Sequence, residues 1–528
     1  MRFSKSSILV LLVFACMAVA GCGDSGRQMT QSRQLIYAST KDIRDINPHL
    51  YSGEMAAQNM VFESLVINTD KGVAPWLAES WDLSADGKTY TFHLRKDVVF
   101  TDGTPFDAEA VKRNIEAILA NKPRHAWLEL VNQIERGEVV DRYTYKLLLK
   151  QPYYPALIEL GLTRPFRFIS PKSFVNGGTQ NGVAGYAGTG PWILSEHKQN
   201  QYAVFTANNR YWGAKPKLES VKWRVMPDHQ TILLALQKGE IHLLFGADGD
   251  MINLDAFKAL QQAGKYKAEL SSPVASRAIL LNSRRPVTAD RRVREAFQYA
   301  VNKQAIVDGI LNGSESAADT LLSPTVPYCD VALTARRYDP EKARQLLTAA
   351  GWIPENDGYR VKDGQQCEVT LYFNSNNAQE RTISEYMQAD LKAVGVRLNI
   401  VGEEKQAFLD RQKSGQFDLQ YSLSWGTPYD PQSYISSWRI PAHGDYQAQL
   451  GLERKNWLDA TAGKILVEYD QAKRQKMYDE LLTYIHEEQV YLPLSYSRTK
   501  AVYVPALKGV SFNPSQYEIA FEKMYFDD

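Results

Sequence analysis

The chain reads as an α/β protein whose lobes are built around mixed sheets. Its 528 residues allow two or three domains with ample core. Short alternating segments and longer helical stripes succeed one another without internal repeats or low-complexity stretches. Hydrophobic residues make up 44% of the chain, an ordinary globular composition that excludes a disordered or fibrous protein.

The elements can be justified in order. Arg2 and Lys5 form a positive start, and residues 8–20 are an apolar run too short to span a bilayer. VAGC (19–22) then has the pattern of a bacterial lipobox. It predicts a signal segment over 1–21, lipid on Cys22 and a polar tether over 22–34. An acyl chain anchors because each buried methylene contributes roughly 0.8 kcal/mol. No later run approaches the ~18 apolar residues that a membrane helix needs. TYTFHLR (89–95) alternates, with Tyr90, Phe92 and Leu94 on one face of a half-buried strand. DGKT (86–89) and FTDGTPF (100–106) supply turns on either side. Asp107 caps a helix whose stripe is Val111, Ile115, Ile118 and Leu119. Residues 290–311 read as one long amphipathic helical region, with Val293, Ala296, Phe297, Ala300 and Val301 on a shared face. Asp339 and Pro340 open another helix that Gly351 stops. Residues 395–404 read as a strand, and 407–425 as helix, Gly415, then strand.

Composition and motifs narrow the function. With 61 Lys+Arg against 60 Asp+Glu, the chain lacks the basic excess that nucleic acid selects. Catalytic motifs fail residue by residue. HEEQV (486–490) ends in Val490 where a zinc protease needs its second histidine. GYAGTG (185–190) has the wrong glycine spacing for a dinucleotide loop, DGDMIN (248–253) lacks the later ligands of a calcium loop, and no G-x-S-x-G occurs. These absences point away from an enzyme.

The eight histidines are dispersed, the nearest two being His229 and His242, so local metal-ligand spacing is missing. One of them, His443, stands in an aromatic, charge-poor stretch, SWGTPYDPQSYISSWRIPAHGDYQ (424–447). Two readings stay open for it: a packing residue, or a single nitrogen completing the sphere of a metal that arrives already chelated. The second requires a metal that takes nitrogen and oxygen donors, most of them supplied by a small amino-carboxylate. Cys16 leaves with the signal, and Cys329 and Cys367 remain. An oxidising compartment permits a disulfide between them, but spacing does not show that they meet.

WLAESWDLSADGKTYTFHLRKDVVFTDGTPFDAEAVK (76–112), GTGPW (188–192), NNRYWGAKP (208–216), RRVREAFQYAVNKQAI (291–306), YDPEKARQLLTAAGW (338–352) and GQFDLQ (415–420) follow one another in a familiar order. Together they resemble the extracellular solute-binding proteins of the peptide/nickel family of ABC importers. INPHLY (46–51), RHAWLELVNQI (124–134), YYPALIEL (153–160), RPFRFI (164–169), WGTPYDP (425–431) and RIPAHGDYQAQ (439–449) are most similar to its nickel-binding members.

The resemblance implies a two-lobed periplasmic-binding fold with two hinge crossings and an extra subdomain in lobe I. It implies lobe I over 35–272, lobe II over 273–495 and a return to lobe I over 496–528. It also implies an extracytoplasmic, lipid-anchored monomer that passes its ligand to an ABC permease and its ATPase. The ligand would be nickel(II) with a small organic chelator such as histidine, held in the cleft between the lobes. His443 would meet the metal. Arg164 would meet the chelate's carboxylate, for which a guanidinium fork is suited, and Arg124 would be a supporting cation. Trp127, Trp425 and Tyr429 would wall the cleft, with Tyr51 and Met55 opposite. Arg167 fits the site less well. Trp76, Trp81, Trp192 and Trp212 sit in blocks common to the family and read as structural. The rival ligand is a di- or oligopeptide. Peptide-binding members show W-x-x-D, whose acid takes the ligand's ammonium; here Pro428 stands at that place and the acid comes later, at Asp430.

Overall fold

The computed structural model describes residues 33–246 and 252–527. The expected signal segment, Cys22 and all but the end of the tether lie outside the described residues.

Two long antiparallel strands, Lys267–Leu281 and Tyr491–Tyr503, form the spine of the molecule. Their register breaks between Leu270 and Pro273 and again before Ala275. The two ends of this ribbon belong to different cores. At one end Tyr266, Ala501, Val502 and Tyr503 pack with Leu35, Tyr37, Trp223 and Leu236. At the other, the period of two in side-chain direction divides the strand between the sheet's faces. Ile279 and Leu281 join Phe297 and Leu371 on one face, while Ala278 and Leu280 join Trp438 and Leu482 on the other. One eleven-stranded sheet therefore runs through both lobes. Strands Gln34–Ser39 and Ser220–Val225 pair in parallel in one lobe; Glu368–Asn374 and Arg397–Glu403 do so in the other.

The extra subdomain is a four-stranded antiparallel sheet, ordered Ala78–Leu83, Thr89–Leu94, Thr144–Leu149 and Ile134–Asp141. The expected alternation holds: Tyr90, Phe92 and Leu94 are buried against the helix Ala108–Ala120. Asp107 accepts from the Ala110 amide at 3.1 Å, so the cap is made as the sequence requires. Asp339 likewise caps at Lys342, and Gly351 and Gly415 take the left-handed conformation at their helix ends.

The region 290–311 departs from expectation. The helix stops at Ala300, Val301 is extended, and a new turn begins with Asn302. The cause is local competition. The Asn302 side chain accepts from the Ala305 amide at 3.0 Å and its own amide donates to Asp390 at 2.8 Å, so an uninterrupted helix loses out. Cys329 and Cys367 are free thiols buried in separate cores, and burial pushes both up, Cys367 to about 12.

Candidate functional site

The cleft wall from lobe I starts in the loop 47–53. Gly53 is required there, because a Cβ would run into the Asp45 carbonyl. This tight fold presents Tyr51 and leads directly into the helix Met55–Val61. The short helix Lys122–His125 delivers Arg124 and, one turn on, Trp127. Arg164 precedes a cis proline, Pro165, and donates to the Gly53 carbonyl at 3.2 Å.

The opposite wall is the loop after strand Leu419–Leu423, which Asp430 folds. Its Oδ2 accepts from Ser424 Oγ at 2.5 Å and from the Gly426 amide at 3.0 Å. Gly426 has φ +79°, and a Cβ there would come within 2.8 Å of the Val274 carbonyl on the crossing strand. That close approach sets Trp425 and Tyr429 against lobe I, and Thr427 Oγ1 donates across to the Pro514 carbonyl at 2.8 Å.

Between the walls lies an open cavity of about 520 Å³, lined by Tyr51, Met55, Trp127, Arg164, Trp425, Tyr429 and Tyr517. Six of these are sequence-predicted. Tyr517 is not; it stands in a loop without periodicity, far along the chain, and nothing local singles it out. Its ring meets Tyr429 edge-on at 6.2 Å. Trp127 and Trp425 cross at 5.6 Å.

Two cations lie against Tyr51; Arg164 lines the cavity, and Arg124, which is exposed, does not. The Arg164 and Arg124 guanidiniums lie 5.1 and 5.5 Å from the Tyr51 ring. Among the described residues neither forms an ion pair with a carboxylate. Burial pushes Arg164 below its ordinary value, and the nearby Tyr429 and Tyr51 phenols act the other way. Arg167, three residues on, is different: it pairs with Glu518 at 3.1 Å and donates to the Phe62 carbonyl. Among the described residues no acid lines the cavity, and Asp430 turns its carboxylate into its own loop.

His443 does not line the cavity. It stands at the N-terminal boundary of the helix Gly444–Gln449 without a side-chain bond to it, half-buried, with its ring 5.9 Å from that of Trp425. Burial lowers its pKa and Asp445 opposes that. Among the described residues no cluster of three or more metal-binding side chains occurs. His125, which no local pattern in the sequence marks out, places its Nδ1 2.7 Å from the Tyr51 hydroxyl.

Residues 72–446 match the family described as Bacterial extracellular solute-binding proteins, family 5 Middle. The chain belongs to family 5 of the bacterial extracellular solute-binding proteins. This family 5 chain is 43% identical over 486 residues to the nickel-binding periplasmic protein of Escherichia coli K12, covering 92% of this chain and 93% of that one. It is 26% identical over 554 residues to the dipeptide-binding protein of the same organism, covering 97% and 96%. Among solved structures, NikA from Brucella suis in complex with Fe(III)-EDTA superposes with a TM-score of 0.92 at 45% identity, over 94% of this chain and 100% of that one. NikZ from Campylobacter jejuni in complex with Ni(L-His) shares the fold, with a TM-score of 0.78 at 24% identity over 94% and 99%. As a family 5 member the protein is an extracytoplasmic two-lobed receptor that serves an ABC permease and its ATPase, and it is not an enzyme. No helix among the described residues is long and apolar enough to cross a membrane.

Proposed function

We propose that the protein captures a metal chelate, nickel(II) held by a small carboxylate-bearing chelator such as histidine, and delivers it to its permease. The observation that carries this reading is an aromatic cavity holding the Arg164 guanidinium without a carboxylate partner, in a protein with no clustered metal ligands among its described residues. A bare cation finds a repulsive cleft there; an anionic complex finds its counter-charge. Arg164 meets the chelate's carboxylate and Arg124 reinforces it through Tyr51. Trp127, Trp425, Tyr429 and Tyr517 give apolar contact on the ring faces, with Met55 and Tyr51 opposite. His443, beside Trp425, completes the metal's sphere when a chelate seats and the lobes close over it.

The lobes in this reading are 35–272, 273–495 and 496–528, hinged where the crossing strands lose register near Pro273. Lipid on Cys22 tethers the receptor to a membrane as a monomer.

Calorimetry with Ni²⁺ alone, with Ni²⁺ plus L-histidine and with a metal-free di- and tripeptide panel tests the reading. Binding with L-histidine is expected to be at least about tenfold tighter than with Ni²⁺ alone. Tight binding of bare Ni²⁺ overturns the chelate reading, and tight binding of peptides replaces it with a peptide receptor.

A further inference from the structure

We infer that His125 is a positioning residue of this cleft: its Nδ1 holds the Tyr51 hydroxyl, and the Tyr51 ring in turn sets Arg164, which lines the cavity, and Arg124 behind it. The inference rests on the proposed capture of an anionic chelate.

The hydroxyl of Tyr51 has two neighbours. The Trp127 indole N–H, which can only donate, reaches it at 2.8 Å. His125 Nδ1 lies at 2.7 Å. Were the phenol to accept from both, its own hydrogen would lack an acceptor, so the favoured arrangement has Trp127 donating to Tyr51 and Tyr51 donating to His125. That requires a neutral imidazole with its proton on Nε2. Burial and the adjacent Arg124 supply the neutrality, lowering His125 to about 4, and the Tyr51 phenol, raised to about 12 by burial, stays protonated.

The imidazole is otherwise a poor choice for its place. His125 is fully buried, and its Nε2 has no hydrogen-bond partner among the described residues. A buried polar atom without a partner destabilises the fold, and an apolar ring fills the same space without that penalty. Among the described residues the bond to Tyr51 is the one polar contact of the imidazole. Tyr51 is fixed by it at the ring's far end, while Arg164 and Arg124 lie against the ring at 5.1 and 5.5 Å. Without that bond the hydroxyl is held by Trp127 alone, and a shift of the ring moves the face against which both cations lie. His125 itself does not line the cavity. It acts on the ligand only through Tyr51.

The test is calorimetric titration of the full mature protein with Ni²⁺ plus L-histidine, beside thermal melts. His125→Phe keeps a ring and removes the acceptor; it is expected to weaken binding about tenfold, the equivalent of one lost hydrogen bond. His125→Asn, whose Oδ1 takes the place of Nδ1, is expected to recover affinity to within about threefold of wild type. In a Tyr51→Phe background, His125→Phe is expected to cost nothing further, because the bond is already gone. Wild-type affinity in His125→Phe, an Asn variant as weak as the Phe variant, or an equal loss in the Tyr51→Phe background overturns the inference. Should His125→Phe fail to fold, the Asn variant and Tyr51→Phe decide it: Tyr51→Phe binding as wild type also overturns it. Failure of the wild-type protein to bind the probe instead defeats the chelate reading on which the inference stands.

Discussion

Trp76, Tyr211, Trp212 and Thr189 close around the Glu63 carboxylate, whereas Trp127, Trp425, Tyr429 and Tyr517 leave a cavity beside Arg164. Both clusters use indoles and phenols around a buried charge. In the first, Trp76 Nε1 and Tyr211 Oη donate to one carboxylate oxygen, and Thr189 Oγ1 and Trp212 Nε1 to the other, all at 2.8–2.9 Å. Trp76 and Trp212 also cross edge-on at 5.1 Å. Both carboxylate oxygens are satisfied from within the chain. In the second, the guanidiniums have a ring face and a carbonyl but no acid, and about 520 Å³ is open beside them. Similar side chains thus give a structural knot in one place and a candidate site in the other. The difference is whether the counter-charge comes from the chain or must come from outside it.

The sharpest way to break this contrast is Glu63→Leu. It strands four buried donors, so unfolding in denaturant should show a loss of roughly 4 kcal/mol or more. Protein that remains folded should bind its ligand as wild type does. The two arginines three residues apart should then separate the roles cleanly. Arg167→Ala leaves the Glu518 carboxylate without its cation and should lower stability by about 3 kcal/mol with little change in affinity. Arg164→Ala should do the reverse: affinity for every anionic chelate falls by about 2–5 kcal/mol while the melting temperature holds. An Arg164→Ala protein with normal affinity removes that residue from the site.

Buried carboxyls with fewer donors than Glu63 give a pH test. Asp430, which folds the Trp425 loop, and Glu159, which takes a 3.2 Å bond from Ser433 across the lobes, are each pushed up to about 7 by burial. The unfolded chain ionises them near ~4, so the folded state holds more protons between the two values. Their contribution is whole below about pH 4 and is lost as pH rises to about 7. Each is worth of order 3 kcal/mol over that span. Melting curves of Asp430→Asn or Glu159→Gln, set against the wild type between about pH 4 and 7, should lack this part of the fall in stability.

The smallest effect belongs to His443. As one ligand among several it should contribute about 1.4 kcal/mol, a tenfold change, to binding of a chelate that leaves a coordination position open. Burial lowers this imidazole below its ordinary 6.5. A metal needs the neutral form, so affinity should stay level through that pH and weaken only in more acid solution. His443→Ala should remove that part of the acid sensitivity and spare chelators that fill the sphere unaided. Identical pH profiles for variant and wild type take His443 out of the site.

Much was legible before the structure. The strand at 89–95, the caps at Asp107 and Asp339, and the stops at Gly351 and Gly415 were readable because each is settled within one or two turns of backbone. The family pattern, carried by blocks in a fixed order, pointed to the cleft residues. The break at Val301 was not readable, since it depends on Asp390, which the sequence places far away. Nor was the assignment of Arg167 to Glu518, or the arrival of Tyr517 against Tyr429 in the cavity wall.

By itself, then, the sequence determined the local periodicities, the turns and caps and the kinds of side chain available for an anion in an aromatic cleft. The tertiary structure decided which of those side chains meet, which guanidinium keeps a partner, that His443 stands behind Trp425 and not on the cavity wall, and that His125 stands behind Tyr51. The physical reason is range. Backbone sterics and hydrogen bonds within a turn act between near neighbours and leave a pattern in the chain. Charge pairing and cavity shape arise from residues hundreds of positions apart, brought together by two crossing strands whose ends pack into different cores.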